Sequence, residues 1–189
     1  MTLKIGIVGA AGTGKSSLAR AVSKELGIPC LESKAITQDI LERDGYDYAS
    51  GIQVERFLAN TGRQNEILRR TMEQEDDAES FVTDRTVVDL AAYVVCEMHG
   101  SDSATVRNVV ETCRRRVTEY THLFVCPWED RPVDPNQKRT LNPWYQFLIH
   151  TIEIGLISSW RMGVSGCILN APDIEGKMSR IREALKEDA

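Results

Sequence analysis

The octapeptide Gly9-Ala10-Ala11-Gly12-Thr13-Gly14-Lys15-Ser16 constrains this chain more than any other stretch, because it fits G-x-x-x-x-G-K-[ST] at every fixed position. The mostly apolar run Leu3–Val8 reads as a short strand before it. Apolar spacing at Leu18, Ala21, Val22 and Leu26 reads as a helix after it, and Gly27 is placed to end that helix. The glycines let successive backbone N–H groups turn inward as an anion nest, and the helix N-terminus adds partial positive charge. Gly9, Ala11, Gly12, Thr13, Gly14, Lys15, Ser16 and Ser17 are therefore the expected contacts of a nucleoside triphosphate. Lys15 is suited to the β- and γ-phosphates, and the Ser16 hydroxyl to a Mg²⁺ ion.

Beyond the loop, apolar runs at Ile28–Leu31, Phe81–Thr83, Leu123–Cys126 and Gly166–Leu169 alternate with helical patterning. The helical stretches are Ile36–Glu79 (broken by the turn-rich Asp44–Gly51), Val87–Met98, Ser103–Glu119, Trp144–Trp160 and Ile174–Lys186. That alternation predicts an α/β P-loop NTPase fold: a five-stranded parallel sheet with helices on both faces. The 189 residues suit a single domain spanning 1–189, with no internal repeat or linker. Pro127–Pro143 stands apart, holding four of the six Pro together with Arg131, Lys138 and Arg139, and reads as a short basic lid.

The five Cys are scattered with no CxxC pair, which argues for a reducing, cytoplasmic setting over a disulfide framework or zinc site. No apolar stretch is long enough to cross a bilayer. A net charge of −5 exerts no global pull on nucleic acid and favours a small acceptor, while leaving room for a local basic groove. Nothing in the pattern specifies an oligomeric state.

A guanine-reading N-K-x-D motif does not occur. Hydrolytic ATPases usually end their third strand with Asp-Glu, the Glu polarising a water; here Thr83-Asp84 is followed by Arg85. A cation at that place favours transfer to a bound acceptor. Asp84, at a strand's carboxyl end, is the expected second Mg²⁺ group, and Arg85 either clamps an acceptor phosphate or compensates Asp84. Asp89, one helical turn on, is placed to pair with Arg85. Glu32 follows the second apolar run, where a carboxylate can take the acceptor's proton or orient it; Lys34 is a weaker candidate. In the lid, Arg139, then Lys138, then Arg131 are suited to charge on the transferring phosphoryl group. The plainer alternatives are a helix-capping Asp84, an exposed strand-end Glu32 and a solvated loop. Phe57 with Tyr46 or Tyr48 is suited to stack on a base while Gln64 and Arg63 read its edge; core packing accounts for Phe57 equally well. Arg114-Arg115-Arg116 reads as a solvated face, and His99, His122 and His150 as structural.

With these residues in order, the chain resembles the small P-loop kinases of nucleosides and nucleotides, such as nicotinamide riboside kinase domains and phage-type deoxynucleoside monophosphate kinases. The resemblance rests on Gly9–Ser17, Glu32, Val54–Arg70, Phe81–Tyr93 (FVTDRTVVDLAAY), Leu123–Pro127 and Asp134–Thr140. It implies ATP as donor, with Lys15 and Ser16 on ATP·Mg²⁺, Asp84 near the metal, Arg139 in a lid, and Asn170–Pro172 beside the adenine. The acceptor it implies is a nucleoside, a nucleotide or a nucleobase hydroxyl. The resemblance extends to phage kinases acting on 5-hydroxymethyluracil within DNA. A nucleotide-dependent switch with slow hydrolysis is the alternative from another class.

Overall fold

The sheet grows outward from β1 (Lys4–Val8), whose last four residues are all buried, as expected of a strand covered on both faces. The computed structural model describes residues 2–46, 60–97, 103–129, 142–160 and 164–187. β1 runs into α1 (Lys15–Leu26) and β2 (Cys30–Leu31), followed by α2 (Ser33–Arg43) and α3 (Thr61–Asp76). Next come β3 (Phe81–Thr83), α4 (Val87–Glu97), α5 (Ser103–Arg116) with a 3₁₀ turn at Val117–Glu119, β4 (His122–Val125), α6 (Pro143–Trp160) and α7 (Ile174–Glu187). The strands are parallel in the order β2-β3-β1-β4, in register Ile5↔Val82, Gly6↔Leu123 and Leu31↔Thr83.

The expected fifth strand is a correction: the sheet of the described residues has four strands. Residues 165–169 do lie parallel to β4, with Leu123 N–H donating to Ser165 O at 2.8 Å and Val125 N–H to Cys167 O at 3.0 Å. Only isolated bridges form, at His122↔Ser165 and Val125↔Ile168. Gly166 accounts for the break. Its φ is 154°, and a Cβ there would stand 1.8 Å from Leu123 O, so the backbone crosses β4 too closely to keep a regular ladder.

Helices cover both faces. On one, Ile5, Ile7, Val82 and Phe124 pack with Leu18, Ala19 and Val22 of α1 and with Met178 and Ile181 of α7. On the other, Val8, Phe81, Leu123 and Val125 meet α2 to α6, with Leu90, Ala91 and Val94 of the apolar helix α4 between. Gly27 ends α1 as expected, in the left-handed conformation at φ 66°, with its N–H on Ser23 O at 2.9 Å. Asn60 starts α3, its side chain accepting the Arg63 N–H at 3.1 Å.

The arginine triplet divides. Arg114 pairs outward with Glu111 at 2.6 Å. Arg116, expected on a solvated face, is 6% exposed and binds Glu75 at 3.2 Å, Asp76 at 2.6 Å and Glu119 at 2.7 Å. Glu75 also accepts the Tyr120 hydroxyl at 2.6 Å, so this network ties α3 to the end of α5. All five cysteines are free, and burial raises their thiols, Cys113 to about 12. Among the described residues no helix is long and apolar enough to cross a membrane.

Candidate functional site

The loop between β1 and α1 lies at the carboxyl edge of the sheet, where β3 also delivers Asp84. Gly9 must be glycine: at φ 150°, a Cβ would meet Cys126 O at 2.6 Å. Gly12 (φ 90°) and Gly14 (φ 86°) turn the chain into α1. The amides of the loop divide into two groups. At the entry, Gly9 N–H faces Asp89 Oδ1 at 3.4 Å and Ala11 N–H donates to Gln146 Oε1 at 2.9 Å. Further on, the amides of Gly12, Gly14, Lys15, Ser16 and Ser17 have no acceptor among the described residues, the arrangement an anion nest requires.

Lys15 folds back over this loop. Its Nζ donates to Gly9 O and, at 2.9 Å, to Ala10 O, and it stands 3.8 Å from Asp89 Oδ1. Asp89 is therefore not mainly the partner of Arg85 that its spacing suggested. It closes a capping box on α4: its Oδ2 accepts Thr86 N–H and Thr86 Oγ1–H, each at 2.8 Å, while Thr86 Oγ1 accepts Val88 N–H at 3.1 Å. Burial pushes the Asp89 carboxyl up, and Lys15 and the Thr86 hydrogen bonds pull it back. The T-x-x-D signature of this box stands in the sequence at Thr86–Asp89.

Ser16 Oγ donates to Asp84 Oδ2 at 2.5 Å, bringing together the two residues expected to hold a metal. Asp84 is 6% exposed, and its Oδ1 is buried with no hydrogen-bond partner. A hydroxyl and a carboxylate with a spare oxygen form a hard oxygen donor set, which fits Mg²⁺. Glu32 lies at the start of α2 on the same edge, half exposed and held by Arg20 Nη1 at 3.1 Å. Arg85 donates to Thr37 Oγ1 at 2.9 Å and stands over the Tyr93 ring at 5.4 Å. Arg63, expected to read an acceptor, is bound to Asp44 at 2.7 Å with its guanidinium 4.5 Å over Tyr46, and Gln64 is buried. Arg139, Lys138, Arg131, Phe57 and Tyr48 lie outside the described residues.

Helix α6 brings to the site three polar residues that carry no motif of their own. Gln146, His150 and Glu153 follow one another at intervals of four and three, so they share one stripe of an otherwise apolar helix. Gln146 reaches Ala11, as above. Glu153 has no exposed surface, and neither of its carboxylate oxygens has a hydrogen-bond partner. His150 Nδ1 is 3.5 Å away. Burial raises the Glu153 carboxyl to about 7, and the Asp89 charge adds to the rise, while His150 and Lys15 oppose it. Polar residues spaced along one face of an apolar helix were the signal for this stripe.

Fold and site together define an α/β protein with a nucleotide-binding P-loop. Residues 4–160 match the family model AAA_28, described as an AAA domain, and the chain belongs to that family. Among curated proteins none matches. Among solved structures, a deoxyadenosine kinase from M. mycoides, bound to dCMP and dCDP, is 16% identical with a TM-score of 0.68, covering 99% of this chain and 100% of the kinase. A thymidylate kinase from Ehrlichia chaffeensis is 11% identical with a TM-score of 0.59, over 97% of this chain and 98% of the other. NadR in complex with NR is 14% identical with a TM-score of 0.60, over 98% of this chain and 50% of that protein. The fold is thus one shared with nucleoside and nucleotide kinases.

Proposed function

We propose that this protein is a kinase that transfers the γ-phosphoryl group of ATP to a hydroxyl of a nucleoside or nucleotide. The observation that carries the reading is the Thr83-Asp84-Arg85 strand end. Asp84 meets Ser16 beside the loop, and Arg85 occupies the place where a hydrolytic enzyme would carry its water-polarising Glu. The open amides of Gly12 to Ser17 and the Lys15 ammonium would bind the phosphates, Lys15 leaving its present bonds to Gly9 O and Ala10 O. Ser16 and Asp84 would hold Mg²⁺, which neutralises charge on the β- and γ-oxygens when bound. In the transfer, the acceptor oxygen bonds to the γ-phosphorus as the bond to the β–γ bridging oxygen breaks. Glu32 orients the acceptor or takes its proton, and Arg139 with Lys138 stabilises the charge spread over the moving group.

A hydroxyl carried on a base in DNA, such as 5-hydroxymethyluracil, is the second reading. It is favoured by an aromatic group in which the exposed Trp144 and Phe147 stand beside the half-buried Trp128, at 6.5 Å and 5.2 Å. These rings flank the segment bearing Arg131, Lys138 and Arg139, and stacking beside basic residues is how single strands are held. The test is a screen with γ-labelled ATP and Mg²⁺ offering nucleosides, nucleoside monophosphates, nicotinamide riboside, and DNA with and without 5-hydroxymethyluracil. Label on a small acceptor supports the first reading, and label only on modified DNA the second. Full-speed ATP hydrolysis without any acceptor, with a shape change between ATP and ADP, would replace both with a nucleotide switch.

A further inference from the structure

The loop's entry is held from outside the loop, by side chains of α4 and α6 that stand 80 and 135 residues further along the chain. Gln146 is 6% exposed and lies one turn into α6, which begins at Pro143 directly after the basic segment. Because Ala11 N–H is a donor, the oxygen of the Gln146 carboxamide must face it, at 2.9 Å. Gly9 N–H is held in the same way by Asp89 of α4. These two bonds fix the entry of the loop, and the amides that remain open begin at Gly12. We propose, on the reading of the protein as an ATP-dependent kinase, that Gln146 is a positioning residue of the phosphate loop. It sets the Ala11 peptide, and through it the direction of the amides that follow, from α6.

The test compares the wild-type protein with Gln146→Met, which keeps the side chain's length and removes its acceptor, and Gln146→Glu, which retains an acceptor oxygen. Hydrogen exchange of the Ala11 amide is read in the nucleotide-free protein, and AMP-PNP·Mg²⁺ binding by titration calorimetry. Gln146→Met should speed Ala11 exchange at least about tenfold with Gly9 unchanged, and should weaken AMP-PNP binding about five- to tenfold. KM for the acceptor should stay the same. Gln146→Glu should restore Ala11 protection. A folded Gln146→Met protein with wild-type Ala11 exchange and wild-type AMP-PNP affinity overturns the inference alone. If Gln146→Met does not fold, loss of Ala11 protection in a folded Gln146→Glu protein overturns it. Failure of the wild-type protein to bind AMP-PNP removes the kinase reading and the inference together.

Discussion

Replacing Glu153 by Gln should stabilise this protein relative to wild type increasingly as pH rises. Glu153 has no exposed surface, and both its oxygens lack hydrogen-bond partners. The groups facing it are His150 on its own helix, Lys15 from the loop, Asp89 from α4 and Cys126 from β4. Burial, the largest influence, lifts its titration from the ordinary 4.5 to about 7. A carboxyl raised in this way gives stability that is fully present below the unfolded value and is lost as pH rises through the folded one. Once ionised, it costs the fold about 3 kcal/mol, at about 1.4 kcal/mol for each pH unit between the two values. Gln has nearly the same shape and cannot ionise. The stability gap between Glu153→Gln and wild type should therefore widen by about 2.5 kcal/mol in favour of the variant between pH 5 and pH 8. Urea unfolding of both proteins at pH 5, 6, 7 and 8, followed by tryptophan fluorescence and by circular dichroism, measures it. A gap that does not change with pH, or a wild type that gains on the variant above pH 7, would refute the reasoning. Either would mean that the ionised carboxylate is well compensated by Lys15.

Other predictions follow from the same geometry. Lys15→Ala should abolish phosphoryl transfer in a protein that still folds, with a lowered thermal midpoint, because it removes the cation 3.8 Å from the buried Asp89 carboxylate. Asp84→Asn should raise the Mg²⁺ concentration needed for half-maximal transfer at least tenfold, read by titrating Mg²⁺ at fixed ATP, because one oxygen of the donor set becomes an amide nitrogen. Arg116→Ala should destabilise the fold by about 3–5 kcal/mol in urea unfolding, because it strands the buried Glu75 carboxylate. A smaller loss in Glu75→Gln would locate the cost in the uncompensated charge.

Much of this architecture could be read from residue order, and the reasons differ by element. The P-loop is legible because its chemistry demands particular residues at fixed spacing, so Gly9, Gly14, Lys15 and Ser16 identify themselves. Asp84 is legible by position, since ligand groups gather at the carboxyl ends of parallel strands. The missing fifth strand was not legible, because Gly166–Leu169 is apolar enough for a strand and only the close crossing at Leu123 O reveals the break. Arg116 looked like its exposed neighbour Arg114, because a helix turns by about 100° per residue and adjacent charges face different surroundings. The spacing of Gln146, His150 and Glu153 marks a polar stripe on α6, yet what the stripe faces was not legible: Ala11 lies 135 residues from Gln146, and no local pattern reports contacts at such separation.

Asp89 shows why a carboxylate, and not its amide, belongs behind the loop. Three donors converge on it: Gly9 N–H at 3.4 Å, and Thr86 N–H and Thr86 Oγ1–H each at 2.8 Å. The Lys15 ammonium adds a positive charge 3.8 Å from Oδ1. Every group hydrogen-bonded to Asp89 donates to it, so these bonds need a side chain that only accepts. Asparagine has one accepting end. Turned one way, its amide N–H₂ faces Thr86 and opens the capping box of α4; turned the other way, it faces Gly9 and the cation. Two buried donors are left unmatched in the first case and one in the second, a cost of about 1–3 kcal/mol at the least. Asp89→Asn should therefore lower the stability by that amount in urea unfolding. It should also speed hydrogen exchange either at Gly9 or at Thr86, and not at both. An Asp89→Asn protein with wild-type stability and both amides protected would show that the carboxylate is already protonated in the native state. Its second oxygen would then be a donor, and Asp89 would not be the counter-charge that holds Lys15 back from the loop.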